Sequence, residues 1–275
     1  MSRILSIAAL HRAYLEPVTR HSAMLVAGQH HSRAIEGLME SLNNDYELEN
    51  GNATFANAVL TSFYAFISFG PLYNDEHTVA AAHTSRVLGA SWIHLIRGLA
   101  PVIERNWAHV TAGPLGSLLD IEKWMQLHPD THDDHDDKSL DHVRGLWDQG
   151  NYTDKDKDTY DQALLALRQC NMWMKQSEAW YDVSRPRKAN YGPWAGPFIW
   201  ISVTPEAFFT LLEQRQVPAM VIYACYGALI HQLSYYWWME GCGKSIVEVV
   251  DQCLGPYWSP WLEWAKRAVQ PESSI

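Results

Sequence analysis

The sequence predicts an all-α fold, a single-domain helical bundle over residues 1–275 that encloses a hydrophobic pocket. Apolar residues recur at three- and four-residue spacing through nearly every segment, which is typical of helices. Only residues 198–203 alternate as a strand would, and that run is short. Hydrophobic residues are 47% of the 275 and charged residues 19%, so the chain can bury a sizeable core and resembles neither a disordered chain nor a coiled coil.

The predicted helices follow one another with glycine and proline at their boundaries. They cover residues 4–14, 23–42, 52–68, 84–102, 104–110, 115–127, 158–182, 206–217, 219–240 and 244–254. Pro101 is expected to kink or divide the fourth helix. Thr204, Pro205 and Glu206 form a helix start, with a capping hydroxyl, a proline and an acid in the first turn. Residues 219–240 are predicted to form the longest apolar helix.

Composition excludes several classes of function. The 21 basic and 31 acidic residues sum to a charge of −10, which argues against direct binding of nucleic acid. The four cysteines lie far apart without a CxxC pair, which argues against structural zinc and favours a reducing, intracellular location, cytoplasmic or, for a regulator, nuclear. No apolar run reaches 18 residues, so no membrane span is expected. No phosphate-binding loop and no dinucleotide fingerprint is present, so we expect no cofactor.

A polar run covers residues 128–142, and we interpret it as a solvated loop between the two halves of the chain. Residues 133–137 formally satisfy the DDxxD pattern that holds magnesium and a substrate diphosphate in class I terpene cyclases. That chemistry needs the carboxylates on one helical face that points into a cavity. His132 and His135 could join these aspartates as metal ligands, but a loop is a poor preformed site for a metal ion, and we predict no metal site.

The most informative segment covers residues 223–248. On the predicted helix, His231, Ser234 or Tyr235, and Trp238 share one face. Tyr236, Glu240 and, across a glycine-flanked break, Lys244 share another. An acid in such an apolar, aromatic segment must be paired or hydrogen-bonded to be tolerated inside a protein.

Two explanations for this acid remain open. Glu240 could form a structural ion pair with Lys244 or with Arg97. Alternatively, it could be the polar anchor at the end of a pocket with aromatic walls.

Several stretches resemble a known family. They are residues 4–11, 96–98, 113–115 and 218–229, the Tyr-Trp-Trp-Met-Glu-Gly motif at 236–241, and the tryptophan-rich residues 258–264. Together they resemble the C-terminal regulatory domain of fungal zinc-cluster transcription factors, most closely the sterol-uptake-control regulators. The resemblance implies an all-α ligand-binding domain whose C-terminal helices enclose a sterol. Two departures from the family are the absence of the six-cysteine DNA-binding cluster and Cys242, which stands where a large aromatic is usual.

Two functions follow, and both require a hydrophobic small molecule, terpenoid or sterol-like. In the first, the pocket belongs to a cofactor-independent cyclase or pericyclase of fungal terpenoid biosynthesis, which needs little beyond folding its substrate. Lys244, His231 or Tyr235 would donate to a carbonyl, and Glu240 would orient the donor. The predicted substrate-binding residues are Trp194, Trp200, Tyr236, Trp237, Trp238 and Met239.

In the second, the chain is a binding module without catalysis, a sterol or terpenoid sensor or a truncated regulator. A weaker third alternative is a magnesium-dependent cyclase that uses the acidic run. The sequence is compatible with a homodimer and does not determine the oligomeric state.

Overall fold

A computed structural model of the chain describes residues 1–43, 51–73, 80–89, 91–98, 100–116, 124, 127–129, 135–179 and 193–270. These ranges contain helices and turns and no β-strand, which confirms the predicted all-α class. The helices are α1 (Ser2–Leu15), α2 (Arg20–Asn43), α3 (Gly51–Phe69), α4 (Ala80–Leu88), α5 (Ser91–Arg97), α6 (Ala100–Ala112), α7 (His135–His142), α8 (Gly145–Asp148), α9 (Asp154–Ala179), α10 (Ala195–Val203), α11 (Glu206–Glu213), α12 (Val217–His231), α13 (Cys242–Leu254) and α14 (Ser259–Ala268).

The chain divides into two compact units. The first unit consists of Met1–Asn74 and Ser91–Asp120. The second consists of Asp75–Ala90 and Ile121–Ile275. The prediction of one domain over residues 1–275 stays a prediction.

In the first unit, α1 and α2 form an antiparallel hairpin, and α3 packs on both helices as well as on α5 and α6. Its core is aromatic. The rings of Phe69 and Trp92 stack with centroids 4.3 Å apart, and Phe66 meets Trp92 edge to face at 5.5 Å. Such pairs add about 0.5–1.5 kcal/mol to the free energy of burial.

In the second unit, α12 is the central helix. All residues from 218 to 230 are buried, because α9, α11, α13 and α14 surround the helix. A helix that is apolar on every side is stable only in such a position. The candidate site lies at its C-terminal end.

Four predicted elements differ from the observed ones, and the first is the short strand. Residues 198–203 belong to helix α10. Most residues of α10 are buried, so it has no polar face to reveal the helical period.

The second difference is the end of the long apolar helix. The predicted helix over residues 219–240 is confirmed up to His231 and wrong beyond it, because α12 ends there and residues 232–241 form consecutive turns. The turns are closed by hydrogen bonds across three residues, from the Ser234 amide to the His231 carbonyl and from the Tyr236 amide to the Leu233 carbonyl.

The third difference is the polar run. The loop predicted over residues 128–142 is wrong for residues 135–142, which form α7. Asp136 and Asp137 lie in its first turn, where negative charge favours a helix, and both are paired with cations of α9.

The fourth difference concerns residues 84–102, which form parts of α4, α5 and α6 in place of one helix. Pro101 lies in the first turn of α6, where a missing amide hydrogen costs nothing. The helix start at Glu206 is confirmed, but its cap is Pro205, and no side chain caps it. Most of the helix predicted over residues 115–127 lies outside the described residues.

No single helix among the described residues combines the length and the apolar composition needed to cross a bilayer. Ala195–Val203 and Glu206–Glu213 meet both requirements only when added together, across a bend of 92°.

Candidate functional site

The candidate site is built on residues 232–241, the connection between α12 and α13, which we call the aromatic turn. The turn ends at Gly241, whose backbone φ of 73° lies in the left-handed region. Residues that carry a side chain rarely adopt this backbone conformation. Because the turn is not helical, its aromatic residues do not follow the helical faces predicted for them. His231, Tyr235 and Trp238 therefore do not form the predicted stripe.

The aromatic turn packs against α10 through its rings. The ring of Trp238 lies with its centroid 6.4 Å from that of Trp194 and 6.0 Å from that of Phe198. Tyr236 lies 5.6 Å from Trp238 on the other side, and Tyr235 lies 4.5 Å from Tyr236. We call these five residues the aromatic cluster.

Four members of the aromatic cluster were predicted as site residues, and the structure brings them together. All are half-buried except Tyr235, whose side chain is 63% exposed. Phe198 was missed because its segment was predicted as a strand. The usable signal was the apolar spacing of residues 195, 198, 199 and 201, which also fits a helix.

Trp200 and Met239 lie deeper than the aromatic cluster. Both are fully buried. The Trp200 indole donates a hydrogen bond to the Ala163 carbonyl at 3.0 Å, and its ring stacks on Tyr226 with centroids 4.3 Å apart. Trp200 therefore contributes to a packed core, and its role in ligand binding stays a prediction. Trp237 is half-buried.

His231 ends α12 beneath the aromatic turn. Its Nδ1 lies 3.2 Å from the Ser234 hydroxyl oxygen. Burial, with a smaller contribution from Lys244, lowers the pKa of His231, so the imidazole is neutral at pH 7.

The other predicted catalytic side chains lie at the surface. Lys244 is exposed and its ammonium lies 3.8 Å from a carboxylate oxygen of Glu248, one turn along α13. Glu240 is exposed as well. Charge stabilisation by groups in contact with water is weak compared with that in an enclosed site. The catalytic roles of Tyr235, Glu240 and Lys244 stay predictions.

A buried tyrosine and two buried thiols of α12 and α13 cannot ionise near neutral pH. Burial raises the pKa of Tyr223, whose hydroxyl donates to the Val87 carbonyl at 3.0 Å. It raises the pKa of Cys225 and of Cys242 to about 12. Cys242, the departure from the resemblance, is therefore an inert buried thiol.

A hydrogen bond joins α13 to α4 beside the turn. The Ser245 hydroxyl oxygen lies 3.1 Å from His83 Nε2. Sequence reasoning missed this contact, and no sequence signal pointed to it, because the two residues are 162 positions apart.

The aspartates of the acidic run have structural partners. Lys175 donates to Asp136 at 2.7 Å and the Trp264 indole donates to its other oxygen at 3.1 Å. Arg168 binds both oxygens of Asp137, at 2.9 and 2.6 Å. The interpretation of these residues as solvated is wrong, because the side chains bind α9 and α14.

The remaining residues of the DDxxD pattern, Asp133 and Asp134, lie outside the described residues, as does His132. His135 is exposed. Among the described residues, no three His, Cys, Asp or Glu side chains gather in the manner of a metal site.

A cleft of about 240 Å³ opens beside α9, and five of its seven lining residues are polar or charged. It is lined by Asp141, Arg144, Asp161, Gln162, Leu164, Leu165 and Arg168. None of these residues belongs to the aromatic cluster. The hydrophobic pocket expected around residues 219–248 stays a prediction.

Comparison with known proteins finds a significant relative. A Zn(2)-C6 fungal-type transcription factor of Gibberella zeae is 25% identical over an alignment of 289 positions, which covers 99% of this chain and 53% of the relative. The chain thus spans about half the length of the curated relative it matches. No family model matches the chain, and no solved structure matches it significantly.

The comparison supports the fungal transcription-factor resemblance over nearly the whole chain. It gives no support to the terpenoid cyclase hypothesis.

Proposed function

We propose that this chain is a regulatory module of a fungal Zn(2)-C6-type transcription factor and that a hydrophobic small molecule controls it. The observation that carries the proposal is the similarity of nearly the entire chain to about half of such a factor. A nuclear location and a ligand of the sterol or terpenoid class, as in the sterol-uptake-control group, are parts of the same proposal.

The aromatic cluster supports the binding part of the proposal. Half-buried indole and phenol rings offer apolar faces together with polar edges, a combination suited to a rigid apolar molecule that carries a hydroxyl or carbonyl. The neutral His231, at the base of the turn, can exchange a hydrogen bond with such a polar group. We propose Trp194, Tyr236 and Trp238 as the main contacts.

A regulatory function suits these residues better than catalysis does. Tyr235, Glu240 and Lys244 face water, which weakens any stabilisation of a charged transition state. A sensor needs only a change in the free energy of one conformation on binding.

A binding experiment tests the site. Tryptophan fluorescence of the purified chain is titrated with ergosterol and with a polycyclic terpenoid alcohol. We expect saturable binding that the double variant Tyr236→Ala/Trp238→Ala weakens about tenfold or more, since two ring contacts are lost.

The matched control is Tyr257→Ala, which removes a 79% exposed aromatic outside the aromatic cluster. Equal weakening by both variants, or no binding by the wild-type chain, would contradict the proposed site. Recovery of a product that mass spectrometry and NMR show to be an isomer of the added compound would favour the cyclase hypothesis.

A reporter assay tests the regulatory part separately. The chain is fused to a heterologous DNA-binding domain, and reporter transcription is measured with and without added sterol. We expect transcription to change with sterol in the wild-type fusion but not in the Tyr236→Ala/Trp238→Ala fusion. Binding without any reporter response would reject the regulatory role and leave the binding site intact.

A further inference from the structure

A contact of three side chains links α13 to α14 in the second unit, and the proposed function does not use it. The ammonium of Lys266 on α14 donates to both carboxylate oxygens of Asp251 on α13, at 2.9 and 2.8 Å. The same ammonium donates to the hydroxyl oxygen of Ser259, the first residue of α14, at 3.3 Å. One cation therefore binds a carboxylate of the neighbouring helix and a hydroxyl of its own helix.

This contact lies at the protein surface. The side chains of Lys266 and Asp251 are 34% and 33% exposed, and Ser259 is half-buried. The connection that precedes Ser259 is a short 3-10 turn, Pro256–Trp258, in which Tyr257 is 79% exposed. Surface connections of this kind are where other proteins gain access to a chain. A modifying enzyme can therefore approach the Ser259 hydroxyl from this connection.

Ser259 is followed directly by Pro260, and serine before proline is the acceptor sequence of proline-directed protein kinases. The chain contains one other serine or threonine before a proline, which is Thr204 before Pro205. Thr204 is 1% exposed, so its hydroxyl is closed to a kinase. Of the two acceptor sequences, Ser259 alone combines a surface position with a cation beside its hydroxyl.

We propose that Ser259 is a phosphorylation site and that its phosphate takes Lys266 away from Asp251. In the reaction, the Ser259 hydroxyl oxygen attacks the γ-phosphorus of ATP on a proline-directed kinase. A bond from this oxygen to phosphorus forms, and the bond from phosphorus to the bridging oxygen of the departing ADP breaks. The hydroxyl proton passes to the catalytic carboxylate of the kinase.

The phosphate competes with Asp251 for the same cation and has the larger charge. A phosphoserine carries about 1.5–2 negative charges at pH 7, whereas a carboxylate carries one at most. The Ser259 oxygen that receives the phosphate already lies 3.3 Å from the Lys266 ammonium, so the new pair forms without movement of a helix. Asp251 then loses its cation and is repelled by the phosphate.

Phosphorylation is therefore expected to weaken one link between α13 and α14 without unfolding α14. The Trp264 indole still binds Asp136 of α7 at 3.1 Å, and Leu262 and Ala265 are fully buried. Negative charge also favours the first turn of a helix, and the first turn of α14 contains no acid. Because α13 begins directly after the aromatic turn, the weakened link belongs to a helix that borders the candidate site.

Phosphorylation of the purified chain tests the site. The whole chain is incubated with ATP and either a mitogen-activated or a cyclin-dependent protein kinase, and phosphopeptides are mapped by mass spectrometry. We expect one phosphate, on Ser259, and none on this peptide in Ser259→Ala. Thr204 is the internal control and should stay unmodified. Phosphate on Thr204 in place of Ser259, or an unmodified Ser259 with both kinases, overturns the proposal.

Urea denaturation of Asp251→Asn tests the exchange of partners. In the unmodified chain this substitution removes the partner of Lys266, so the urea midpoint should fall below that of the wild type. In the chain phosphorylated on Ser259 the same substitution removes a repelled charge, so the midpoint should no longer fall. A decrease of the same size in both states overturns the exchange, because Lys266 then remains bound to Asp251.

Glu16→Gln is the matched control, because it also removes an acid from a cation, Arg12 at 3.1 Å, but in the first unit. Its effect on the urea midpoint should be the same with and without the phosphate. If phosphorylation changes the effects of both substitutions alike, the exchange at Lys266 is rejected. The proposal does not depend on the proposed function, since neither experiment uses a hydrophobic ligand.

Discussion

A buried charged side chain in this protein is bound by several partners at once. Arg168 of α9 is the main example, with a side chain only 9% exposed that donates to both oxygens of Asp137 and to Asp141. A bidentate pair of this kind fixes the orientation of two helices as well as their distance. It fastens α7 to α9.

Removing Arg168 should destabilise the protein strongly. Arg168→Met leaves the carboxylate of Asp137 buried without its cation, and we expect a loss of about 3–5 kcal/mol in the free energy of unfolding, measured by urea denaturation. Arg144→Met is the control, because Arg144 is 51% exposed where it pairs with Asp161, and such pairs contribute about 0–1 kcal/mol. Equal losses in the two variants would show that the buried pair has no special role.

A second residue-scale feature is a histidine that must stay neutral. The Arg3 guanidinium is buried between α1, α2 and α3, where it donates to Asn57 and to Nδ1 of His31. Burial first, and Arg3 second, lower the pKa of His31 to about 4. Protonation would remove the acceptor and place two cations in contact.

Stability should therefore fall in mild acid. His31 titrates near 6.5 when unfolded and near 4 when folded, so the unfolded chain binds more protons. The contribution of His31 is complete above pH 6.5 and is lost as the pH falls towards 4. We expect unfolding free energies measured between pH 7 and 4 to decline less in His31→Gln than in the wild type. Parallel curves would contradict this assignment, since His83 and His231, whose pKa values are also lowered, are present in both proteins.

At the scale of elements, the crossing of α12 and α13 is the closest contact near the candidate site. A methyl group on Gly243 would lie 2.2 Å from the Gly227 carbonyl oxygen and 2.4 Å from the His231 backbone nitrogen. The two helices therefore meet backbone to backbone, and the aromatic turn is the connection that this contact imposes.

Gly243→Ala should separate the two helices. The clash is with backbone atoms, which cannot rotate away, so we expect a loss of about 1–3 kcal/mol and a weaker response of the aromatic turn to ligand. Urea denaturation measures the loss. Gly37→Ala is the control, because a methyl group there meets nothing within 4 Å, and alanine should stabilise α2 by about 0.5–1 kcal/mol. Destabilisation by both substitutions would point to glycine flexibility in place of helix contact.

At the scale of the whole molecule, net charge sets what the chain can bind. A charge of −10 over 275 residues repels the phosphate backbone of DNA. The proposed regulatory role therefore requires that DNA contacts come from elsewhere.

The isolated chain should not bind duplex DNA. In an electrophoretic mobility assay at 50 mM salt we expect no shift at micromolar chain concentrations, because no phosphate contacts offset the repulsion. A fusion to a basic DNA-binding domain is the positive control. A shift by the chain alone, abolished by added salt, would reveal a cationic surface that the composition does not predict.

The sequence by itself determined the all-α class and most helices of the first unit, together with the aromatic character of the candidate site. Helical period is a local property, because a helix that buries one face must repeat its apolar residues every three or four positions. Trp194, Tyr236 and Trp238 could be selected because they are aromatic and close to the C-terminal apolar helix.

Only the tertiary structure decided where α12 ends and which partners hold the acidic run. α12 ends at His231 because α13 must approach Gly227, a contact between residues 16 positions apart that leaves no periodic signal. Asp137 appeared solvated because its cation, Arg168, lies 31 positions away. Helix content follows from neighbours along the chain, whereas helix ends and charge pairs follow from neighbours in space.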